Sequence, residues 1–214
     1  MQLRRKYEPQ HIDEYVWGNS VTEAQFRGDI ERGELPNIMI HGPAGTGKTS
    51  LVRVLLRELC VDPMDLLKIN GSEITGKDRI NDIIRSSIDR NCMGLFTGGY
   101  GKRVVWFEEA DRLSPNAQDS LKAIIDDTEH RVTYIFTLND YSGIRDPLRQ
   151  RCRVTSLNAI NTATCTAWLK DVCDIESLPL SDEEIQRIIA TQKPSLRDML
   201  TETERLGVQK RVAA

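Results

Sequence analysis

The residues most able to do chemistry stand between two apolar runs: Gly42-Pro43-Ala44-Gly45-Thr46-Gly47-Lys48-Thr49, followed by Ser50. Their spacing is G-x-x-x-x-G-K-[ST]. Ile38–His41 reads as a strand before them and residues 48–60 as a helix after them, the context in which this pattern cradles phosphate. Glycines let backbone N–H groups turn inward and approach phosphate oxygens closely. The N-terminus of the following helix adds partial positive charge. Lys48 has the reach for β- and γ-phosphates, and the Thr49 hydroxyl suits a magnesium ion. Gly42 to Ser50 are therefore the expected binding residues for a nucleoside triphosphate, whose base this loop does not specify.

Hydrolysis requires one carboxylate near the metal and another to polarise water. Arg103-Val-Val-Trp-Phe-Glu108-Glu109 supplies both at the C-terminal end of an apolar strand, where open α/β sheets bind ligands. Thr137-Leu138-Asn139 ends the next strand. Asn139 suits the orientation of an attacking water, although asparagine at a strand end also simply starts turns.

Five short β-branched runs must carry these residues: Ile38–His41, Leu67–Asn70, Arg103–Phe107, Thr133–Thr137 and Cys152–Ser156. Helical patterns lie between them, near 20–32, 48–60, 77–90, 115–126 and 144–150. Alternation of this kind implies crossover connections and a mainly parallel five-stranded sheet. After residue 157 strand-like runs stop. Helices are expected near 161–173, 181–191 and 195–207, with Ser181 as an N-cap. This division predicts a core over 1–157 and a small all-helical domain over 158–214 that packs on it. Gly98–Lys102 reads as a flexible connection, or alternatively a nucleic-acid-binding tip.

Composition sets outer limits. Apolar residues make up 39% and aromatics 6%, which suits a helix-rich α/β protein better than a β-sandwich. A net charge of −3 argues against a basic coat but not against a local basic stripe. No apolar run nears the roughly 18 residues of a membrane span, and MQLRRKYEP lacks a signal-peptide core, so a cytoplasmic protein is expected. The five cysteines form no CxxC pair and read as structural thiols.

The motifs together resemble an AAA+ ATPase and, within that class, a small subunit of a sliding-clamp loader of the replication factor C type. Lys6-Tyr7-Glu8-Pro9 resembles the family's KYRP, and Val16-Trp17-Gly18-Asn19 its VGN segment. Leu67-Lys68-Ile69-Asn70-Gly71-Ser72 with Asp78-Arg79-Ile80 resembles its LNASD and RGI stretches. FEEADRLSPNAQDSLKAIID resembles its DEAD segment and the helix beyond. Asp146-Pro147-Leu148-Arg149-Gln150-Arg151-Cys152 resembles ALQSRC, and Pro194-Ser195-Leu196-Arg197-Asp198 resembles GDLR. The match spans about residues 4 to 205. It implies an AAA+ P-loop core followed by a helical lid, with ATP and Mg²⁺ as ligands. Lys48 and Thr49 would then hold phosphate and metal, Glu108 would stand at the magnesium position, and Glu109 would be the catalytic base. Asn139 would be the first sensor, Arg197 a second sensor reaching the γ-phosphate from the lid, and Arg151 a finger inserted into a neighbouring subunit's site. The implied partners are other clamp-loader subunits in a homo- or hetero-oligomer, a sliding clamp and primer–template DNA. Lys77, Arg79, Arg85 and Lys122 are the candidate phosphate contacts, or else an ordinary solvated face.

Four departures qualify the resemblance. Glu108 stands where the family has Asp, lengthening the side chain by a methylene. Gln150 replaces the Ser before the finger arginine. Glu8 replaces an arginine, and Trp17 enlarges the turn near the expected adenine, either stacking on the base or filling core. The family's third helical domain, the collar, is not represented; a truncated chain and a compact viral form both fit that. The functions to separate are an ATP-driven clamp loader, a nucleotide-binding structural subunit with little turnover, and another remodeller such as a helicase loader. The location implied is the cytoplasm, the nucleus of a eukaryote, or a host cell.

Overall fold

Strands form where the β-branched runs predict them, and all pair in parallel. In the computed structural model, which describes residues 3–73, 77–88, 91–157 and 160–213, with the backbone alone at 77–81 and 213, they are β1 (Ile38–His41), β2 (Leu66–Asn70), β3 (Arg103–Glu108), β4 (Val132–Leu138) and β5 (Arg153–Ser156). The sheet order is β2-β3-β4-β1-β5, with every neighbouring pair parallel. β4 is buried along its whole length, and β3 is buried up to Glu108, as a sheet covered on both faces requires.

The helices are α1 (Leu3–Lys6), α2 (Ser20–Arg32), α3 (Lys48–Glu58), α4 (Lys77–Ile88), α5 (Gly94–Thr97), α6 (Pro115–Thr128), α7 (Asp146–Arg149), α8 (Thr162–Ile175), α9 (Asp182–Gln192) and α10 (Leu196–Ala213). Alternating strand residues sort onto two faces. Met39, Phe107 and Phe136 pack with Ile84 of α4 and Leu121 and Ile125 of α6. Ile38, Ile40, Trp106 and Ile135 pack on the other side with Phe26 of α2 and Leu51 and Leu55 of α3. Among the described residues no helix is long and apolar enough to cross a membrane.

Helices α8, α9 and α10 enclose a third cluster, including Leu169, Ile185, Ile188 and Met199. Ser181 caps α9 as expected: its side chain accepts from Glu184 N at 3.3 Å, while Glu184 Oε2 accepts from Ser181 N at 2.8 Å. This reciprocal box satisfies two N–H groups that the helix leaves unpaired. Residues 158 and 159, where the expected division falls, lie outside the described residues.

One expectation needs correction, and one element was not expected. The segment 98–102 is packed rather than a free connection: Tyr100 is buried, its hydroxyl donates to Leu35 O at 3.2 Å, and it lies 2.7 Å from Thr133 Oγ1. The short α5 ahead of it was not expected; four residues carry too little periodicity to read. All five cysteines are free thiols, Cys165 and Cys173 buried and Cys60 exposed.

The N-terminal segment also has a role that its polar sequence conceals. Leu3 is buried in the third cluster, and its N–H donates to Glu204 Oε2 at 3.1 Å. The Tyr7 hydroxyl donates to Glu176 Oε1 at 2.8 Å, with Lys6 paired to the same carboxylate. A few residues on, the chain grips the sheet layer: Glu8 pairs with Arg53, and Ile12 N donates to Glu58 Oε1 at 2.9 Å. Residues 3–15 thus strap the helical cluster to the sheet. Chain ends usually fray and tolerate change, but here Leu3→Ala is expected to cost roughly 2–5 kcal/mol, the range for a buried leucine. Urea denaturation measures it, and an unchanged midpoint would mean that the strap does not pack.

Candidate functional site

Strand register brings the chemistry together. His41 of β1 is level with Leu138 of β4, and Phe107 of β3 is level with Phe136 of β4. Because β4 lies between β1 and β3, Asn139 emerges between the loop after β1 and the acidic pair at the end of β3.

The loop itself is held from both sides. Gly45 has φ +79°, and a Cβ there would lie 2.1 Å from Ser195 Oγ. Gly47 has φ +90° and leads directly into α3. L-residues pay about 1–2 kcal/mol for left-handed backbone, so both positions favour glycine. Leu196 N, at the start of α10, donates to Gly45 O at 3.1 Å. Tyr15, which no sequence signal marked, backs the loop: its hydroxyl donates to Thr46 O at 3.3 Å, and burial raises its pKa. Thr46 is buried, with its hydroxyl on Pro43 O at 2.9 Å, so its side chain shapes the loop.

Lys48 Nζ donates to Gly42 O at 2.6 Å, Pro43 O at 2.8 Å and Asn139 Oδ1 at 2.8 Å, using all three of its protons. Burial pushes its pKa down to about 8; the Asp111 carboxylate opposes that shift and the Arg197 guanidinium adds to it. An anion placed beside this ammonium relieves the penalty.

Lys48 shares one cavity with Ala44, Gly45, Gly47, Thr49, Ser50, Glu108, Glu109, Asn139 and Arg197. Glu108 Oε2 is 2.9 Å from Lys68 Nζ, and Glu109 Oε2 is 3.1 Å from Arg112 Nε. Glu109 has φ +50°, an uncommon conformation for a residue with a side chain. A second cavity shares Gly45, Gly47, Thr49, Ser50 and Arg197 with the first. Its other walls include Tyr7, Pro9, Val16, Trp168 and Leu200. A polar cavity at a helix N-terminus, beside one whose walls mix Tyr7, Val16, Trp168 and Leu200 with Arg4, Glu8 and Arg53, fits a nucleotide. The hydroxyl of Thr49 and the carboxylate of Glu108, an all-oxygen set on the same cavity, fit a magnesium ion.

Other expected residues lie elsewhere. Arg151 is remote from this cavity and forms a bidentate pair with Asp126 of α6, at 2.5 and 2.6 Å. That guanidinium holds the Asp126 carboxyl below its ordinary range. Trp17 packs against Tyr15 and Phe26, with ring centroids 4.6 and 6.0 Å away, so it fills core. Arg85 and Lys122 are exposed on the packed helices α4 and α6, with no ion-pair partner among the described residues. The side chains of Lys77 and Arg79 lie outside the described residues.

Residues 38–159, which hold the loop, the acidic pair and Asn139, match the family model described as "ATPase family associated with various cellular activities (AAA)". The chain belongs to the AAA ATPase family. Among curated AAA relatives it is 28% identical over 194 residues to a replication factor C small subunit of Natronomonas pharaonis, a match covering 90% of this chain and 58% of the relative. It is 30% identical over 198 residues to a probable replication factor C subunit 2 of Dictyostelium discoideum, covering 91% and 57%. The chain thus spans under two thirds of the length of these relatives. Thermotoga maritima RuvB, a Holliday junction branch migration motor, superimposes with a TM-score of 0.72 over 93% of this chain and 64% of that one, at 19% identity. That likeness shows a shared AAA fold.

Gly45→Ala tests the loop geometry. Left-handed backbone and the Ser195 contact together are expected to lower stability by at least about 1–2 kcal/mol and to weaken nucleotide binding. Ser195→Gly in the same chain should recover part of the stability. Thermal melting and titration with a fluorescent ATP analogue read both effects, and an undisturbed variant would contradict this loop conformation.

Proposed function

We propose that this chain is an ATP-hydrolysing subunit of a sliding-clamp loader acting on primer–template DNA. The observation that carries this reading is the convergence of Lys48, Thr49, Glu108, Glu109, Asn139 and Arg197 on one cavity, in a chain similar over nine tenths of its length to replication factor C subunits. Lys48 and the first turn of α3 hold the triphosphate. Thr49 and Glu108 hold Mg²⁺, which supplies charge neutralisation. Glu109 polarises the attacking water and Asn139 orients it. Arg197 contacts the γ-phosphate from α10, within a lid proposed to span 158–214 beside a core of 1–157.

Arg151 acts outside its own subunit in this reading. Its distance from the cavity supports that, and the Asp126 pair holds it extended until a neighbour docks. Leu95 and Phe96 of α5 are 69% and 72% exposed, an apolar pair that suits a protein partner, and the clamp is the partner proposed for it. Arg85 and Lys122 supply charge for template phosphates. Nucleotide drives the cycle only through different affinities for the clamp-gripping and released assemblies. A nucleotide-binding subunit with little turnover is the second reading, favoured by the capture of Glu108 by Lys68.

Steady-state ATP hydrolysis by the purified chain, with and without primer–template DNA and clamp, tests the reading against a Lys48→Ala blank. Stimulation by primed DNA and clamp is expected. Binding without turnover in the full assembly would favour the second reading, and Lys48→Ala behaving as wild type would sink the site. Arg151→Ala should spare nucleotide binding yet slow turnover in the assembly by about 10³-fold or more; unchanged turnover there removes the finger role.

A further inference from the structure

Lys68 occupies a place that the mechanism above does not explain. It lies on the edge strand β2, directly across from Trp106 on β3 and diagonal to Glu108. Side chains so placed share one face of the sheet and reach each other. Its ammonium lies 4.8 Å from the Trp106 ring centroid and 2.9 Å from Glu108 Oε2. Trp106 is itself fixed, buried and donating from Nε1 to Thr137 Oγ1 at 3.2 Å. The indole is thus a rigid platform from which the lysine meets the carboxylate at the rim of the cavity. The Glu108 side chain is 22% exposed, so solvent screens the pair only in part.

We propose that Lys68 is a positioning residue for the cation site: it draws the Glu108 carboxylate toward β2 and competes with the divalent cation for it. Triphosphate capture by this chain then requires more cation than the same site with an unpaired Glu108 would demand. The inference rests on the phosphate and metal reading proposed above. It also accounts for the side-chain length at position 108. Glu spans the gap to Lys68, whereas Asp, one methylene shorter, withdraws from it.

The test is binding of a fluorescent ATP analogue to the full chain across a Mg²⁺ titration. Lys68→Met keeps the aliphatic stem over Trp106 and removes the charge. It is expected to lower the half-saturating Mg²⁺ concentration about two- to fivefold, the range for a partly exposed ion pair. Lys68→Arg keeps the charge and should remain close to wild type. In a Glu108→Asp background, Lys68→Met should have no further effect, because the pair is already broken. An unchanged midpoint in Lys68→Met overturns the inference. So does an equal shift in the Glu108→Asp background, which would show a general charge effect instead of competition for this carboxylate. Wild-type protein that captures no nucleotide at any Mg²⁺ concentration overturns the phosphate-site reading itself, and this inference with it.

Discussion

The insertion of β4 between β1 and β3 is the constraint on which the site depends. Parallel pairing with both neighbours sets the C-terminal ends of the three strands level. The glycine-rich loop, Asn139 and the acidic pair are far apart in sequence, yet all leave the sheet at the same edge. The Lys48–Asn139 hydrogen bond is the direct consequence, joining side chains 91 positions apart at 2.8 Å. Slippage of β4 is costly because a one-residue shift would exchange its two packed faces, taking Tyr134 and Phe136 out of the cluster with α4 and α6 and putting Ile135 in their place.

A second set of contacts joins the sheet layer to the terminal helices. Ser195 and Leu196 lie directly on Gly45, so the start of α10 rests on the glycine-rich loop. The N-terminal strap makes the same connection from the other side, through Leu3 and Tyr7 to α8–α10 and through Glu8, Ile12 and Tyr15 to the sheet layer. Both cavities at the loop therefore have walls from each part of the molecule, and a ligand bound there touches both. That is the structural requirement for nucleotide occupancy to bias the position of the terminal helices, as the proposed cycle demands.

Charge pairing adds detail that the motifs alone do not contain. Glu108 and Glu109 are adjacent in sequence but engage different cations, Lys68 across the sheet and Arg112 one turn onward. Left-handed backbone at Glu109 separates them. Two neighbouring carboxylates thereby acquire different surroundings, as their separate proposed roles in metal binding and water activation require. Arg151 is similarly engaged, by Asp126, on a surface away from the cavity.

Much of this was legible in the residues. The glycine-rich turn between strand and helix, the strand-end carboxylates, the Ser181 cap and the five strands all follow from local spacing, because hydrogen-bonding pattern and hydrophobic period act over a few residues. The motif order was also enough to place the chain among AAA proteins. Strand order was not legible, because any parallel arrangement satisfies the same apolar runs. Tyr15 and Leu3 carried no signal, since a tyrosine or leucine in a polar stretch looks alike whether exposed or buried. Trp17 was ambiguous between base and core until its neighbours Tyr15 and Phe26 were in place. The sequence by itself determined the longer local elements and the chemical types at each strand end. Only the tertiary structure decided which of them meet, including the capture of Glu108 by Lys68, because such contacts depend on register and packing between segments distant along the chain.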